Sequence, residues 1–148
     1  MYSTNRRKQD HGEFGAELVD AAHELIRRWQ PEPMPEWVTF VPSRRQPERV
    51  AGFATRLAGR LGLVFGDVVV KVRDSEPQKF MQNSQQQYRN VQNAFEVRGP
   101  VPSGPVLLVD DMVDSRWTFT VVGASLREAG AGSVVPFALA DTAGRSTR

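Results

Sequence analysis

The sequence predicts an α/β domain with a central, mostly parallel sheet of about five strands and helices on both faces. Short apolar runs of strand length alternate with longer segments whose apolar residues recur at helical spacing. Two of these runs, at 37–42 and 106–109, are each followed by a polar turn and then by a helix. Such units favour a parallel sheet, because the chain must cross back before the next parallel strand can begin.

Length and composition indicate one domain. The chain has 148 residues, with a polar, charged tail expected at 1–13 and the folded domain at 14–148. Cysteine is absent, which excludes disulfides and thiolate metal sites and favours a cytoplasmic protein. No stretch is apolar enough to predict a membrane span, and the N-terminus does not resemble a signal peptide.

The charge balance does not indicate direct nucleic-acid binding. The formal net charge is +2, and all but three of the 19 basic residues are arginine. Arginine favours bidentate contacts with phosphate or carboxylate groups over a diffuse basic patch.

The first helix is predicted to begin near Phe14. Its apolar residues define the expected buried stripe: Leu18, Val19, Ala22, Leu25, Ile26 and Trp29. Pro31, Pro33 and Pro35 end this helix. His23 has no second ligand at metal-binding spacing, so we expect a solvated or hydrogen-bonded histidine.

The middle of the chain predicts three strands, and the last two of them flank a long polar segment. Residues 37–42 form the first strand, the turn 43–46 follows, and a helix continues to Leu61. The β-branched run at 68–70 predicts one strand over 65–72, and 94–97 is expected to return to the sheet. The segment between them lacks apolar periodicity and is rich in glutamine, which predicts a mobile loop or lid.

The last unit contains the strongest functional signal. The buried strand 106–109 ends at two carboxylates, Asp110 and Asp111, and a helix with apolar spacing begins near Thr118. Free N–H groups at a helix start attract phosphate, and paired carboxylates suit ribose hydroxyls or Mg²⁺. An acidic surface turn is the alternative, which the Asp114-Ser115-x-x-Thr118 pattern makes less favourable. A final strand is predicted at 133–140.

This stretch resembles the phosphoribosyl-diphosphate (PRPP) signature of type I phosphoribosyltransferases, and so implies a type I phosphoribosyltransferase-like fold. By that resemblance, Asp110 and Asp111 hold the ribose hydroxyls, with Mg²⁺ arriving on PRPP and within reach of the same pair. Asp114 takes the place of the proton acceptor. The 5-phosphate is bound by four consecutive residues: Ser115, Arg116, Trp117 and Thr118. Arg116 stands where the family carries glycine, which tolerates backbone conformations that arginine does not.

Two other segments extend the resemblance. The turn 43–46 is similar to the family's pyrophosphate loop, which would place Ser43, Arg44 and Arg45 beside the leaving group; solvated charges ahead of a helix are the alternative. The polar segment is similar to the family's flexible loop, which closes over the site. Its implied loop residues are Arg73, Gln78, Lys79, Asn83 and Arg89.

A particular branch of the family shares more of the pattern. Three features resemble the domain at the C-terminus of RecQ-type DNA helicases, which is akin to ComF-like proteins. They are the spacing Gln78-x-x-Met81-x-Asn83, the later Asn90-Val-x-x-Ala94-Phe95, and Trp117 in the signature. This implies a domain that binds Mg²⁺–PRPP or a phosphorylated nucleoside and has a RecQ-type helicase partner in DNA repair. No Walker A loop is present, so the chain is not itself the helicase motor.

An active glycosyltransferase of nucleotide metabolism remains the alternative. It would transfer phosphoribose from PRPP to a nucleobase and release pyrophosphate. The sequence leaves catalytic activity, the acceptor base and the choice between monomer and homodimer open.

Overall fold

A computed structural model describes residues 15–42, 47–73, 85–86, 89, 92–110 and 116–139, with the backbone alone at Pro47, Arg116 and Trp117. The helices are α1 (Ala16–Trp29), α2 (Pro47–Leu61) and α3 (Arg116–Glu128). The strands are β1 (Trp37–Phe40), β2 (Val64–Phe65), β3 (Val69–Lys71), β4 (Phe95–Val97), β5 (Val106–Asp110) and β6 (Val134–Ala138).

The central sheet is parallel and contains four strands in the order β2-β1-β5-β6. Strand β1 pairs with β5 from Trp37 opposite Val106 to Phe40 opposite Val109. All residues of β1 and β5 are buried, as expected for strands covered on both faces. Pro136 lies in β6, an edge strand of this sheet. Proline has no backbone N–H to donate, and an edge strand tolerates it because one side of the strand has no neighbour to accept that hydrogen bond.

Each face of this sheet packs against different elements. One face of the sheet packs against α1 and α2, and we call it the α1/α2 face. Its side chains in the core cluster are Val38, Phe40, Leu107 and Val109. The other face packs against Val122 and Leu126 of α3, and we call it the α3 face. Its side chains in the second core cluster are Trp37, Val41, Val106 and Leu108. Helices therefore cover both faces, which confirms the predicted α/β architecture.

Helix α1 buries a narrower stripe than the sequence predicted. Val19, Ala22 and Ile26 are buried, whereas Leu25 and Trp29 are exposed. All of these residues lie within one apolar arc of the helix, but α2 and the sheet cover only the part centred on Ile26. Asp20 lies outside this stripe and forms an ion pair with Arg60 of α2 at 3.0 Å.

The prediction of a single strand over 65–72 was wrong. The chain enters the parallel sheet for two residues as β2, passes Gly66, and then forms β3 in a separate antiparallel pair with β4. Segment 94–97 therefore does not return to the central sheet as expected. This pair packs on the α3 face, where Val69 and Phe95 join the core cluster.

Two helices end at glycines with left-handed backbones. Gly62 has φ of 72° and Gly130 has φ of 118°. Past each glycine the next N–H returns to an earlier carbonyl of the helix, from Leu63 to Ala58 and from Ala131 to Leu126. This pattern satisfies carbonyls that a helix end otherwise leaves without partners.

Within the described ranges, the helices are too short or too polar to cross a bilayer.

Candidate functional site

The strand order produces a switch point at two neighbouring strands, where an open α/β sheet is expected to form a ligand crevice. From β1 the chain passes through α2 to β2 on one side, and from β5 it passes through α3 to β6 on the other. Strands β1 and β5 are adjacent, so the connections diverge at their carboxyl ends. In open α/β sheets ligands bind at this point, because diverging loops leave a crevice between them.

Asp110 lies at the edge of this crevice. It is the last residue of β5 and pairs with Ala138 of β6. Its side chain lies on the α3 face, since it shares strand parity with Leu108 and Val106. It is 6% exposed and belongs to a hydrogen-bonded or charged contact. Because its side chain is buried, Asp110 does not belong to an exposed acidic turn, and its position at a strand end next to the switch point favours a functional role.

The amino end of α3 faces the same edge, because only five residues separate it from β5. Its first turn contains no acidic residue, so its N–H groups and dipole remain favourable for an anion. Thr118 is half-buried in this turn. The backbone at Arg116 is helical, and the only non-glycine residue with positive φ in the described chain is Gln30. The strain expected where the family carries glycine therefore does not arise.

The amino end of α2 lies above β1 in the same way. Val41 continues the pairing of β1 beyond the strand, donating its N–H to the Val109 carbonyl at 2.8 Å. Arg49 is half-buried in the first turn of α2. A cation at this end opposes the helix dipole, so the fold alone does not favour arginine at this position.

Many of the predicted site residues lie outside the described residues. These are Ser43, Arg44, Arg45, Gln78, Lys79, Asn83, Asp111, Asp114 and Ser115, together with the side chains of Arg116 and Trp117. Arg73 lies two residues beyond the end of β3 and is exposed, as is Arg89. The structure thus places Asp110 and Thr118 at this end of the sheet, and the ligand-binding roles of all the predicted site residues remain predictions.

Thr39 is a residue that the sequence analysis missed. It lies in the middle of β1, is 0% exposed and faces the α3 side, as Asp110 does. The available signal was strand parity, since Thr39 is the polar residue in an otherwise apolar run.

The described residues contain no group of three or more histidine or acidic side chains that could hold a metal ion by themselves. Asp110 can supply one oxygen donor group to a cation that a ligand carries in. Mg²⁺ suits that arrangement, because it usually binds one or two carboxylates and completes its shell with water and phosphate oxygens.

Comparison with known proteins gives structural matches. The fold resembles an allosteric regulatory enzyme of purine biosynthesis, with TM-score 0.54 and 21% identity over 82% of this chain. It also resembles a purine phosphoribosyltransferase from Pyrococcus horikoshii, with TM-score 0.51 and 18% identity over 85% of this chain. This chain covers 25% of the first protein and 75% of the second.

No protein-family model and no curated protein sequence matches the chain. The structural matches show the fold, which is type I phosphoribosyltransferase-like.

Proposed function

We propose that this chain is a phosphoribosyltransferase-like domain that binds a ribose phosphate, as Mg²⁺–PRPP or a phosphorylated nucleoside. The observation that carries this proposal is the buried carboxylate of Asp110 at the crevice above β1 and β5. The fold shared with a purine phosphoribosyltransferase supports the same ligand class.

The proposed ligand lies across the two strand ends. Asp110 and Asp111 accept hydrogen bonds from the ribose hydroxyls, and each charge-assisted bond contributes about 1.5–3 kcal/mol. The turn before α3 and the helix amino end hold the 5-phosphate, with Ser115 and Thr118 as hydroxyl donors. Arg44 and Arg45 neutralise the pyrophosphate from the β1 side.

Mg²⁺ belongs to this proposal as a ligand-borne ion. When bound, it neutralises phosphate charge and orients the pyrophosphate oxygens. Asp110 and Asp111 are the residues that would hold it, directly or through water.

The catalytic alternative uses the same site. In that reaction the bond between ribose C1 and pyrophosphate breaks, and a nucleobase nitrogen forms the new bond to C1. The proton leaves the base nitrogen for the Asp114 carboxylate, and pyrophosphate departs with the electron pair of the broken bond. The purine phosphoribosyltransferase among the structural matches supports this alternative. The binding domain is favoured by Arg116, because a guanidinium where the family carries glycine can itself form a bidentate contact with phosphate.

Calorimetry with ribose 5-phosphate and Mg²⁺ tests the binding proposal. We expect Asp110→Asn to weaken binding by about 10- to 100-fold, because one charge-assisted contact is lost. Asp20→Asn is the matched control, since it makes the same chemical change on the exposed surface of α1. Equal affinity of the parent and Asp110→Asn would show that the carboxylate is structural.

Turnover separates the two functions. Pyrophosphate release from PRPP is measured with a panel of nucleobases, using the parent and Asp114→Asn. Turnover near an ordinary enzymatic rate of about 10 per second, lost in Asp114→Asn, establishes the transferase. Binding without turnover supports the binding domain.

The association with a RecQ-type DNA helicase is proposed from the motif resemblance. Titration of a purified RecQ-type helicase with the labelled chain measures the affinity of this association. The absence of saturable binding would contradict the proposed association.

A further inference from the structure

Thr39 and Asp110 share an unusual property. Among the described residues, they are the polar side chains buried in the core, at 0% and 6% exposure. They lie on adjacent strands and both face α3. The rest of the strand positions on that face are apolar.

The hydroxyl of Thr39 is without a hydrogen-bond partner in the described part of the molecule. Leaving a buried hydroxyl unsatisfied costs about 1–3 kcal/mol. Valine has nearly the same shape and would fill the position without that cost. The stability of the fold therefore gives no reason for threonine here.

The sheet register places this hydroxyl near Asp110. Thr39 pairs with Leu108, so Asp110 is two residues further along the neighbouring strand on the same face. Two residues along a strand and one strand across separate the Cα atoms by about 8 Å. Threonine and aspartate are short side chains, so one bridging water, or a shift of either side chain toward the other, joins the two groups across that distance.

We propose that Thr39 is a positioning residue for Asp110. When a ribose phosphate binds, the Thr39 hydroxyl donates a hydrogen bond toward the Asp110 carboxylate and fixes its orientation. The hydroxyl lacks a partner without ligand and gains one in the complex, so part of its burial cost is recovered on binding. This inference rests on the proposed ribose-phosphate function and adds a residue on β1 to the site.

A double-mutant cycle tests the inference, with ribose 5-phosphate and Mg²⁺ as the probe. We expect Thr39→Val to fold with unchanged or higher thermal stability and to weaken binding about tenfold. Thr39→Ser, which keeps the hydroxyl, should bind within about twofold of the parent. In the Asp110→Asn background, Thr39→Val should have little further effect, because coupled residues are non-additive.

The matched control is Thr55→Val, which makes the same change at an exposed site where the hydroxyl donates to the Ala51 carbonyl. It should leave ligand affinity unchanged. Parent-like binding by Thr39→Val, an equal loss in both backgrounds, or a large loss of stability would overturn the positioning role. If Asp110→Asn weakens binding while Thr39→Val does not, this inference fails alone. If the parent does not bind the probe, the proposed function fails and this inference fails with it.

Discussion

The two faces of the parallel sheet come from the same strands but differ in chemistry. On the α1/α2 face, the described core side chains are all apolar. On the α3 face, the apolar cluster is interrupted by Thr39 and Asp110. Successive residues of a strand point to opposite faces, so adjacent positions such as Leu107 and Leu108 belong to different environments.

This difference separates stability from function within one sheet. A face that serves only the fold gains by being fully apolar, because each buried polar group must recover its lost hydration. The α3 face accepts that cost near the carboxyl ends of β1 and β5. There the strand order leaves a crevice, so a ligand can change the surroundings of the Thr39 hydroxyl, which has no partner among the described residues.

The largest expected effect comes from truncating either buried leucine of β5. Leu107→Ala and Leu108→Ala should each lower the free energy of unfolding by about 2–5 kcal/mol, because both side chains are fully buried. Leu108→Ala should also weaken ribose 5-phosphate binding, since its cavity adjoins Thr39 and Asp110 on the α3 face. Leu107→Ala should bind as the parent does.

Chemical denaturation measures the free energy of unfolding. Calorimetry measures the affinity for ribose 5-phosphate, at a temperature at which each variant is folded. A loss of affinity in Leu107→Ala equal to that in Leu108→Ala would contradict the division between the faces.

A smaller effect is expected at the opposite end of the α3 face. Trp37 donates its indole N–H to the Gly104 carbonyl at 2.9 Å, near the amino end of β1. Trp37→Phe should lower the free energy of unfolding by about 1–2 kcal/mol, because a part-buried hydrogen bond and some packing are lost. The Gly104 carbonyl keeps the N–H of Gly132 as a second donor, at 3.0 Å.

Ligand affinity should not change in Trp37→Phe, because the site lies at the carboxyl ends of the strands. Weaker binding of ribose 5-phosphate in this variant would extend the functional region along the whole α3 face.

The smallest effect is expected outside both faces. Asp20 and Arg60 join α1 to α2 through an ion pair in which both side chains are more than half exposed. Asp20→Asn should change the free energy of unfolding by less than about 0.5 kcal/mol, because water screens the pair. Thermal melting at low and high salt measures this change in stability. A loss above about 1 kcal/mol would show that this ion pair contributes more to stability than exposed pairs usually do.

The sequence predicted the two units that form the site. The runs at 37–42 and 106–109 became β1 and β5, and the helices after them became α2 and α3. These predictions held because strands buried on both faces are continuously apolar and amphipathic helices repeat at their own period. The position of Asp110 at a strand end followed from the same pattern.

The middle of the chain could not be predicted in the same way. The apolar run near 68–70 has strand character, but its composition does not encode which strand it will pair with. The pairing of β3 with β4 joins residues about 26 positions apart, Val70 opposite Glu96 for example, and it depends on packing against α3. In α1, periodicity identified the apolar arc, whereas the neighbouring elements decided that Ile26 is buried and Trp29 is exposed.

The sequence by itself determined the α/β architecture and the carboxylates at the end of β5, because local periodicity and strand ends are written in neighbouring residues. The tertiary structure alone decided that β1 lies beside β5 and that Thr39 shares a face with Asp110. The burial of the Thr39 hydroxyl without a partner was likewise decided there. Burial and hydrogen bonding depend on residues distant in the chain. A threonine within an apolar run gives the same sequence pattern whether or not its hydroxyl is hydrogen-bonded in the folded protein.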